Sequence, residues 1–229
     1  MLIPEFKGQL RHRIIEVPTC IAQVSGIRIF GRLIRSLIFT TDVAIIRNNN
    51  ADAVIAVYPF TPQPSITHAI MTASEAPVLC GVGGGTTTGP RVVNLAMDAE
   101  FRGACGVVVN APTSNQIVTR LKETIDIPVV VTVVSSATDI QARLDAGADI
   151  LNVSGAADTP AIVAHIRKQY PHVPIIATGG PTDESIQATI AAGANAVTYT
   201  PPTSAKLFAE LMTKYRQAGA DEPPARASS

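Results

Sequence analysis

Residues 128–154 read PVVVTVVSSATDIQARLDAGADILNVS. Pro128 opens the apolar run Val129–Val134, and Ser135-Ser136 turn the chain into a helical stretch over Ala137–Ala146. Gly147 ends that stretch, and Ala148-Asp149 open a second apolar run, Ile150–Ser154. A serine at a helix start accepts from free backbone N–H groups, and a glycine past the last turn takes the left-handed backbone that closes it. The pattern recurs along the chain. Pro77-Val78 and Pro174-Ile175 open runs as Pro128 does, and Ala51-Asp52, Ala104-Cys105 and Ala194-Asn195 open them as Ala148 does. A unit of two strands and two helices therefore repeats about every 45 to 50 residues, the mark of a repeat-built fold.

The strands so predicted are Ile34–Phe39, Ala53–Tyr58, Val78–Gly83, Gly106–Asn110, Val129–Val134, Ile150–Ser154, Ile175–Thr178 and Ala196–Thr200. They are nearly continuous apolar runs, as parallel strands buried on both faces are. Helices are predicted over Asp42–Asn48, Ser65–Ser74, Pro90–Arg102, Ser114–Thr124, Ala137–Ala146, Pro160–Gln169, Asp183–Ala192 and Ser204–Gln217. Counted through, this is an α/β chain forming a single (β/α)8 TIM barrel. Residues 1–30 do not fit the repeat and form an N-terminal extension, in which Ile14–Val24 is either a strand or a plug across the barrel bottom. The barrel occupies 31–218. The small, polar, Pro-rich stretch 219–229 has the composition of a disordered tail.

Composition narrows the function. Apolar residues make up 46% of the chain and charged ones 16%, with formal net charge zero, so nothing draws it to nucleic acid or to a membrane surface. The three cysteines have neither metal nor disulfide spacing, which suits a reducing, cytoplasmic setting. No apolar run reaches the length of a membrane span, and the N-terminus carries charges where a signal peptide would be apolar. Arg28, Arg32 and Arg35 form a local basic run, read as surface or inter-subunit charge, with a phosphate or nucleic-acid contact as the alternative. Weakly charged helices also fit a homo-oligomer.

In this fold the reactive face lies at the C-terminal ends of the strands. Those ends are polar and almost uncharged: Thr40-Thr41-Asp42, Tyr58-Pro59, Gly83-Gly84-Gly85-Thr86, Asn110-Ala111, Ser135-Ser136, Ser154-Gly155, Gly179-Gly180 and Thr200-Pro201. The lysines beyond residue 7 all fall in predicted helices, so a Schiff base is not expected. His68, His165 and His172 lie on helices or at a helix end, no ligand cluster is visible, and neither a metal nor a cofactor is expected. Gly179-Gly180, between the seventh strand and a helix start, is the recurrent place for a phosphate, with Thr200, Thr203 and Ser204 as hydroxyl donors from the next loop. Pro201-Pro202 lack N–H donors there. The glycine-rich loop after the third strand, with Gly84 and Gly85, reads as a mobile lid, an anion-binding nest or a plain loop, and Arg91 follows it at a helix start. Tyr58, Asn110 and Ser154 face the mouth by register, either to bind a ligand or to fill the top layer. Asp42, the carboxylate nearest a strand tip, is a helix cap or a general base. Cys80 is a buried apolar residue or a nucleophile.

The stretch Pro174-Ile175-Ile176-Ala177-Thr178-Gly179-Gly180, followed by Ala192-Gly193-Ala194-Asn195-Ala196-Val197, resembles the ribulose-phosphate-binding barrel superfamily. That group includes aldolases, epimerases, thiamine-phosphate synthases and glycerol-uptake antiterminator proteins. The likeness spans roughly residues 148–208 and implies phosphate contacts at Gly179, Gly180 and the Thr200–Ser204 loop. The aldolase lysine, and the epimerase lysine and glutamate, have no counterpart at the strand ends. The antiterminator-type barrels share the ending Gly193 to Thr198, and their resemblance implies a phosphorylated small-molecule ligand. Three readings follow. The first is a lyase- or isomerase-type enzyme acting on a small phosphorylated or carboxylated metabolite, with Asp42 as base. The second is a non-catalytic, ligand-sensing regulatory barrel. The third is a hydrolase using Cys80 or a serine.

Overall fold

The structure, a computed structural model, describes Pro4 and residues 14–220. Eight parallel strands close on themselves: β3 (Ser36–Phe39), β4 (Ala53–Ala56), β5 (Val78–Gly83), β6 (Gly106–Val109), β7 (Val129–Val133), β8 (Ile150–Val153), β9 (Ile175–Thr178) and β10 (Ala196–Tyr199), the last pairing with β3. Each is followed by a helix: α1 (Val43–Arg47), α2 (Pro64–Ala73), α3 (Pro90–Phe101), α4 (Asn115–Thr124), α5 (Ile140–Asp145), α6 (Thr159–Gln169), α7 (Asp183–Ala191) and α8 (Ser204–Ala220). The expected (β/α)8 barrel is the fold. Gly219 and Ala220, expected in the tail, continue α8, and the rest of that stretch lies outside the described residues.

The expected plug is present but is built from a different segment. Ile14–Val24 forms only a bridge from Ile15 to Asn49 and a 3-10 turn over Thr19–Gln23. That turn sets Ile21 and Val24 against Ile186 and Val197. An antiparallel hairpin, β1 (Ile27–Ile29) and β2 (Arg32–Ile34), closes the bottom instead. Its Ile27, Ile29 and Ile34 pack into one cluster with Leu37, Ala53, Ile55, Leu79, Val108, Val130, Ile150 and Ile176 inside the barrel. The expected boundary at residue 30 falls in the turn of this hairpin, at Phe30-Gly31. Both turn residues have positive φ, 45° and 80°, as a tight two-residue hairpin turn requires. Ile34, read as the start of the first barrel strand, belongs to the hairpin, and the barrel strand begins at Ser36.

The alternating openings have a physical cause. At the bottom of the barrel an Asp or Asn at a strand start accepts the first N–H of the preceding strand. Asp52 Oδ2 accepts from the N–H groups of Arg35 (2.8 Å) and Ser36 (2.9 Å). Asp149 Oδ2 accepts from Val129 N–H at 2.9 Å, and Asn195 Oδ1 accepts from Ile175 N–H at 2.9 Å. The proline openings work from the other side. Pro77, Pro128 and Pro174 use only their carbonyls, which accept from Val54, Val107 and Leu151. A proline costs nothing where no N–H is needed.

Because this ring fixes register where each strand enters, removing one of its acceptors leaves a strand N–H unpaired. Asp149→Ala is expected to cost about 2 kcal/mol, the worth of a hydrogen bond to a charged group, and to lower Tm by roughly 4–8 °C. Asp149→Asn keeps an acceptor for Val129 and should lose less than half of that. Equal melting of Asp149→Ala and wild type would show that the ring does not hold the register.

Candidate active site at the barrel mouth

Side chains alternate across a strand, so every second residue faces the barrel axis. In β7 to β10 that inner series changes character on the way up. Val130, Ile150, Ile176 and Ala196 belong to the apolar interior. Two residues further on, Thr132, Asn152, Thr178 and Thr198 line a cavity of about 240 Å³ at the C-terminal end, together with Phe39, Ile55, Val57, Val108, Asn110, Ser154 and Thr200. Asn152 Nδ2 donates to Thr132 Oγ1 at 3.2 Å, while the buried hydroxyl of Thr198 has no partner among the described residues.

A second cavity, about 260 Å³, adjoins the first through Val57 and Asn110. Its lining comes from two segments, Tyr58, Pro59, Phe60 and Pro62 after β4 and Gly81, Gly83, Gly85, Thr86 and Thr87 at the end of β5 and beyond. The pairing of β5 with β6 slips between Gly81 and Gly83, a bulge that brings both glycines to the cavity. Gly84 (φ 96°) then tucks under the next loop. A Cβ there would lie 2.1 Å from Thr113 Oγ1 and 2.7 Å from the Asn110 nitrogen, so only glycine fits. Gly84 N–H donates to Thr87 carbonyl oxygen at 2.9 Å. Past that turn, Gly85 and Thr86 are exposed residues that line the cavity, and their N–H groups have no acceptor among the described residues. The Tyr58 hydroxyl accepts from Gln63 N–H at 2.9 Å.

The residues singled out from sequence divide into two groups. Tyr58, Asn110, Ser154, Thr200 and Gly85 come together at the mouth, with Gly84 as the hinge of its rim. Gly179, Gly180, Thr203, Ser204, Asp42 and Arg91 line neither cavity. Gly179 N–H is already bonded to Thr198 carbonyl oxygen (3.0 Å), and Gly180, at φ 83°, turns the chain toward Ser185. The start of α7 is filled by the protein itself. Thr182 and Ser185 form a reciprocal cap, and Asp183 and Glu184 occupy the first turn. The Glu184 carboxyl is held below its usual range by its own backbone N–H first and the Thr182 hydroxyl second. Thr203 Oγ1 accepts from Lys206 N–H at 3.2 Å, capping α8. Arg91 is exposed, as are His68, His165 and His172.

Asp42 caps α1. Its Oδ1 accepts from the N–H groups of Ala44 (2.9 Å) and Ile45 (3.3 Å), and its Oδ2 accepts a short hydrogen bond from Ser204 Oγ. The Ser204 bond is the largest cause of a carboxyl held below its ordinary value, against the opposing effect of burial. Both oxygens are thus committed, and an acidified carboxylate is a poor proton acceptor. Cys80 faces the helices, with Sγ 4.0 Å from Met71 Sδ, and burial first, then neighbouring Cys105, pushes its thiol up to about 12. It has neither access to the mouth nor thiolate character.

Sequence reasoning missed the floor: Thr132, Asn152, Thr178 and Thr198. The signal was there. Each is the single polar residue in an apolar run, at the position that alternation turns inward.

No protein-family model matches the chain, and no curated protein matches it. Solved structures do. Phosphonopyruvate hydrolase in complex with oxalate and Mg++ shares 15% identity over 85% of this chain and 86% of its own, with TM-score 0.62. A 2,3-dimethylmalate lyase, described as a PEP mutase/isocitrate lyase superfamily member, shares 12% over 92% and 88%, TM-score 0.62. Phosphoenolpyruvate phosphomutase from Streptomyces platensis subsp. rosaceus shares 14% over 81% of each chain, TM-score 0.59. At these identities the likeness shows the (β/α)8 fold alone. One of these barrels is described as a PEP mutase/isocitrate lyase superfamily member rather than a ribulose-phosphate-binding barrel, and a likeness of fold assigns this chain to neither superfamily. The hydrolase's Mg++ stands against the expectation of no metal, so the donor set at this mouth is the test. Magnesium sites are built on one or two carboxylates. None lines either cavity, and the described residues hold no group of three His, Cys, Asp or Glu. The residues present do not fit that ion. No helix among the described residues is long and apolar enough to cross a membrane.

Asp42→Ala is expected to lose about 1 kcal/mol at neutral pH, the worth of an N-cap, or roughly 2–4 °C in Tm. The sign with pH follows from the lowered carboxyl. Its contribution is present above the ordinary aspartate range and disappears as pH falls through the depressed folded value. The melting curves of variant and wild type should therefore converge in acid. A gap that stays constant to low pH would mean that the charge of Asp42 is not what holds the cap.

Proposed function

We propose that this barrel is a lyase- or isomerase-type enzyme that binds a small carboxylated or phosphorylated metabolite at its mouth. Its oxyanion sits against the rim after β5. One observation supports the reading: Gly85 and Thr86, whose N–H groups have no acceptor among the described residues, line a cavity that shares Val57 and Asn110 with one floored by neutral hydroxyls and amides. Paired backbone donors facing a partly enclosed space are the arrangement that stabilises charge developing on an oxygen. The neighbouring barrels' activities, on phosphonopyruvate, phosphoenolpyruvate and 2,3-dimethylmalate, are of the same chemical kind. The loops after β9 and β10, the site the sequence favoured, are the weaker candidate. Thr203, Ser204 and the α7 start are engaged by the protein's own groups, and Pro201-Pro202 offer no N–H.

The mouth would work as follows. The substrate's apolar part packs on Phe39, Ile55 and Val57. Asn110, shared by both cavities, orients its polar atoms across them, and the rim N–H groups hold the oxyanion. Asp42 has no part in this chemistry. A sensor built on the same site binds the same ligands without turning them over, and product analysis separates the two.

Oxalate, a compact planar dicarboxylate, is the probe. Titration calorimetry should detect binding to wild type, and Thr86→Pro, which deletes one rim N–H in an exposed loop, should weaken it by about 10-fold or more while Tm stays put. Gly180→Ala, at the rival site, should leave affinity alone. Loss of binding in Gly180→Ala with Thr86→Pro unaffected would move the site to the loops after β9 and β10.

A further inference from the structure

We propose that the phenolic hydroxyl of Tyr58 is the third donor to the oxyanion and the strongest one, an assignment that rests on the oxyanion reading above. Among the described residues lining the two mouth cavities, Tyr58 alone carries a titratable side chain. Every other polar lining group is a threonine or serine hydroxyl, an asparagine amide or backbone. Charge developing on a substrate oxygen therefore meets no lysine, arginine, histidine or fitting metal cradle. It has to be met by neutral donors, and a phenol is the most acidic neutral donor available there.

The geometry prepares Tyr58 for this. Gln63 N–H, just ahead of α2, donates to the phenol oxygen at 2.9 Å. That bond fills an acceptor position on the oxygen and leaves the hydroxyl proton free to donate. It also ties the ring to the backbone, so no rotamer has to be found when ligand arrives. Pro59 and Pro62 stiffen the segment between Tyr58 and Gln63. Half-buried Tyr58 lines the same cavity of about 260 Å³ as Gly85 and Thr86. An oxyanion lodged there is approached by two N–H groups from one segment and an O–H from the other. No bond to Tyr58 forms or breaks; its role is a hydrogen bond that shortens as charge builds on the ligand.

The test uses the full chain and oxalate, in EDTA and separately with added MgCl2. Wild type should bind oxalate in EDTA, and Tyr58→Phe should bind it at least about 10-fold more weakly with an unchanged melting temperature. A second reading needs no variant. Of the four tyrosines, Tyr58 alone lines the mouth, so oxalate should produce a tyrosine difference spectrum in wild type. Binding without that spectrum, or with Tyr58→Phe affinity equal to wild type, overturns the assignment of Tyr58 and leaves the rim N–H reading standing. Binding that appears only with MgCl2 overturns it too, because the cation would then carry the charge. No oxalate binding under either condition sinks the oxyanion reading itself, and this proposal with it.

Discussion

A closed parallel barrel is possible only if every strand enters at the right height, because a one-residue slip turns each side chain from the axis to the helices. Here the height is set at the bottom by side chains as well as by the ladder. Asp52, Asp149 and Asn195 each take the first N–H of the strand before them, and Arg35 and Arg167 tie neighbouring carbonyls at the same end. The hairpin over Ile27–Ile34 then fills the bottom with isoleucine. With the lower end fixed and packed, the upper end is free to carry groups that contribute nothing to stability. The Thr198 hydroxyl, without a partner among the described residues, is tolerable at the mouth for that reason.

The same division explains what could be read from the chain. Strand and helix positions were legible because they rest on local chemistry, proline and Ala-Asp openings and glycine stops. Of the expected Ser and Thr caps, only Thr182 bonds as read: Asp139, not Ser136, caps α5, which starts at Ile140, and Ser114 makes no cap bond. The plug was misplaced because Ile27, Ile29 and Ile34 look like any short apolar stretch, and only their contact with Leu37 and Val130 shows what they do. The phosphate reading of Gly179-Gly180 is weakened for a related reason. A glycine pair before a helix start signals donors, but not whether they are already spent. Thr198 carbonyl oxygen takes one and the carboxylate of Glu184 another. The competitors lie in an adjacent strand and in the helix itself, and their geometry is not encoded in spacing.

The floor of the mouth fell between these cases. Thr132, Asn152, Thr178 and Thr198 stand in runs such as VVVTV and ILNV, which read as fully buried strands. They are strands buried on both faces, but the two faces differ. Outward residues such as Val129, Val131 and Val133 pack under helices, whereas the inward series ends in a polar residue. A polar side chain buried in a strand tip needs a partner, a neighbour or a ligand. Asn152 and Thr132 find each other, and Thr198 has no partner among the described residues.

Charge is the remaining constraint, and it bears on chemistry more than on fold. Two arginines near the helix ends are spent on architecture. Arg143 reaches from α5 to the carbonyls of Ala111 and Thr113, and Arg167 to those of Gly193 and Val173. Both guanidinium groups are partly buried, which lowers their pKa. Asp42 and Glu184 are held by hydrogen bonds of their own. What reaches the mouth is therefore neutral. A neutral mouth cannot pull an anion in from a distance, since long-range attraction needs net charge. It can hold one at short range, where oriented N–H and O–H dipoles act in a site partly closed to water. The ligand that suits it is small enough to be enclosed and carries its charge at one end. On the function proposed above, that end lies at the glycine-rich rim, where the N–H groups of Gly85 and Thr86 have no acceptor among the described residues.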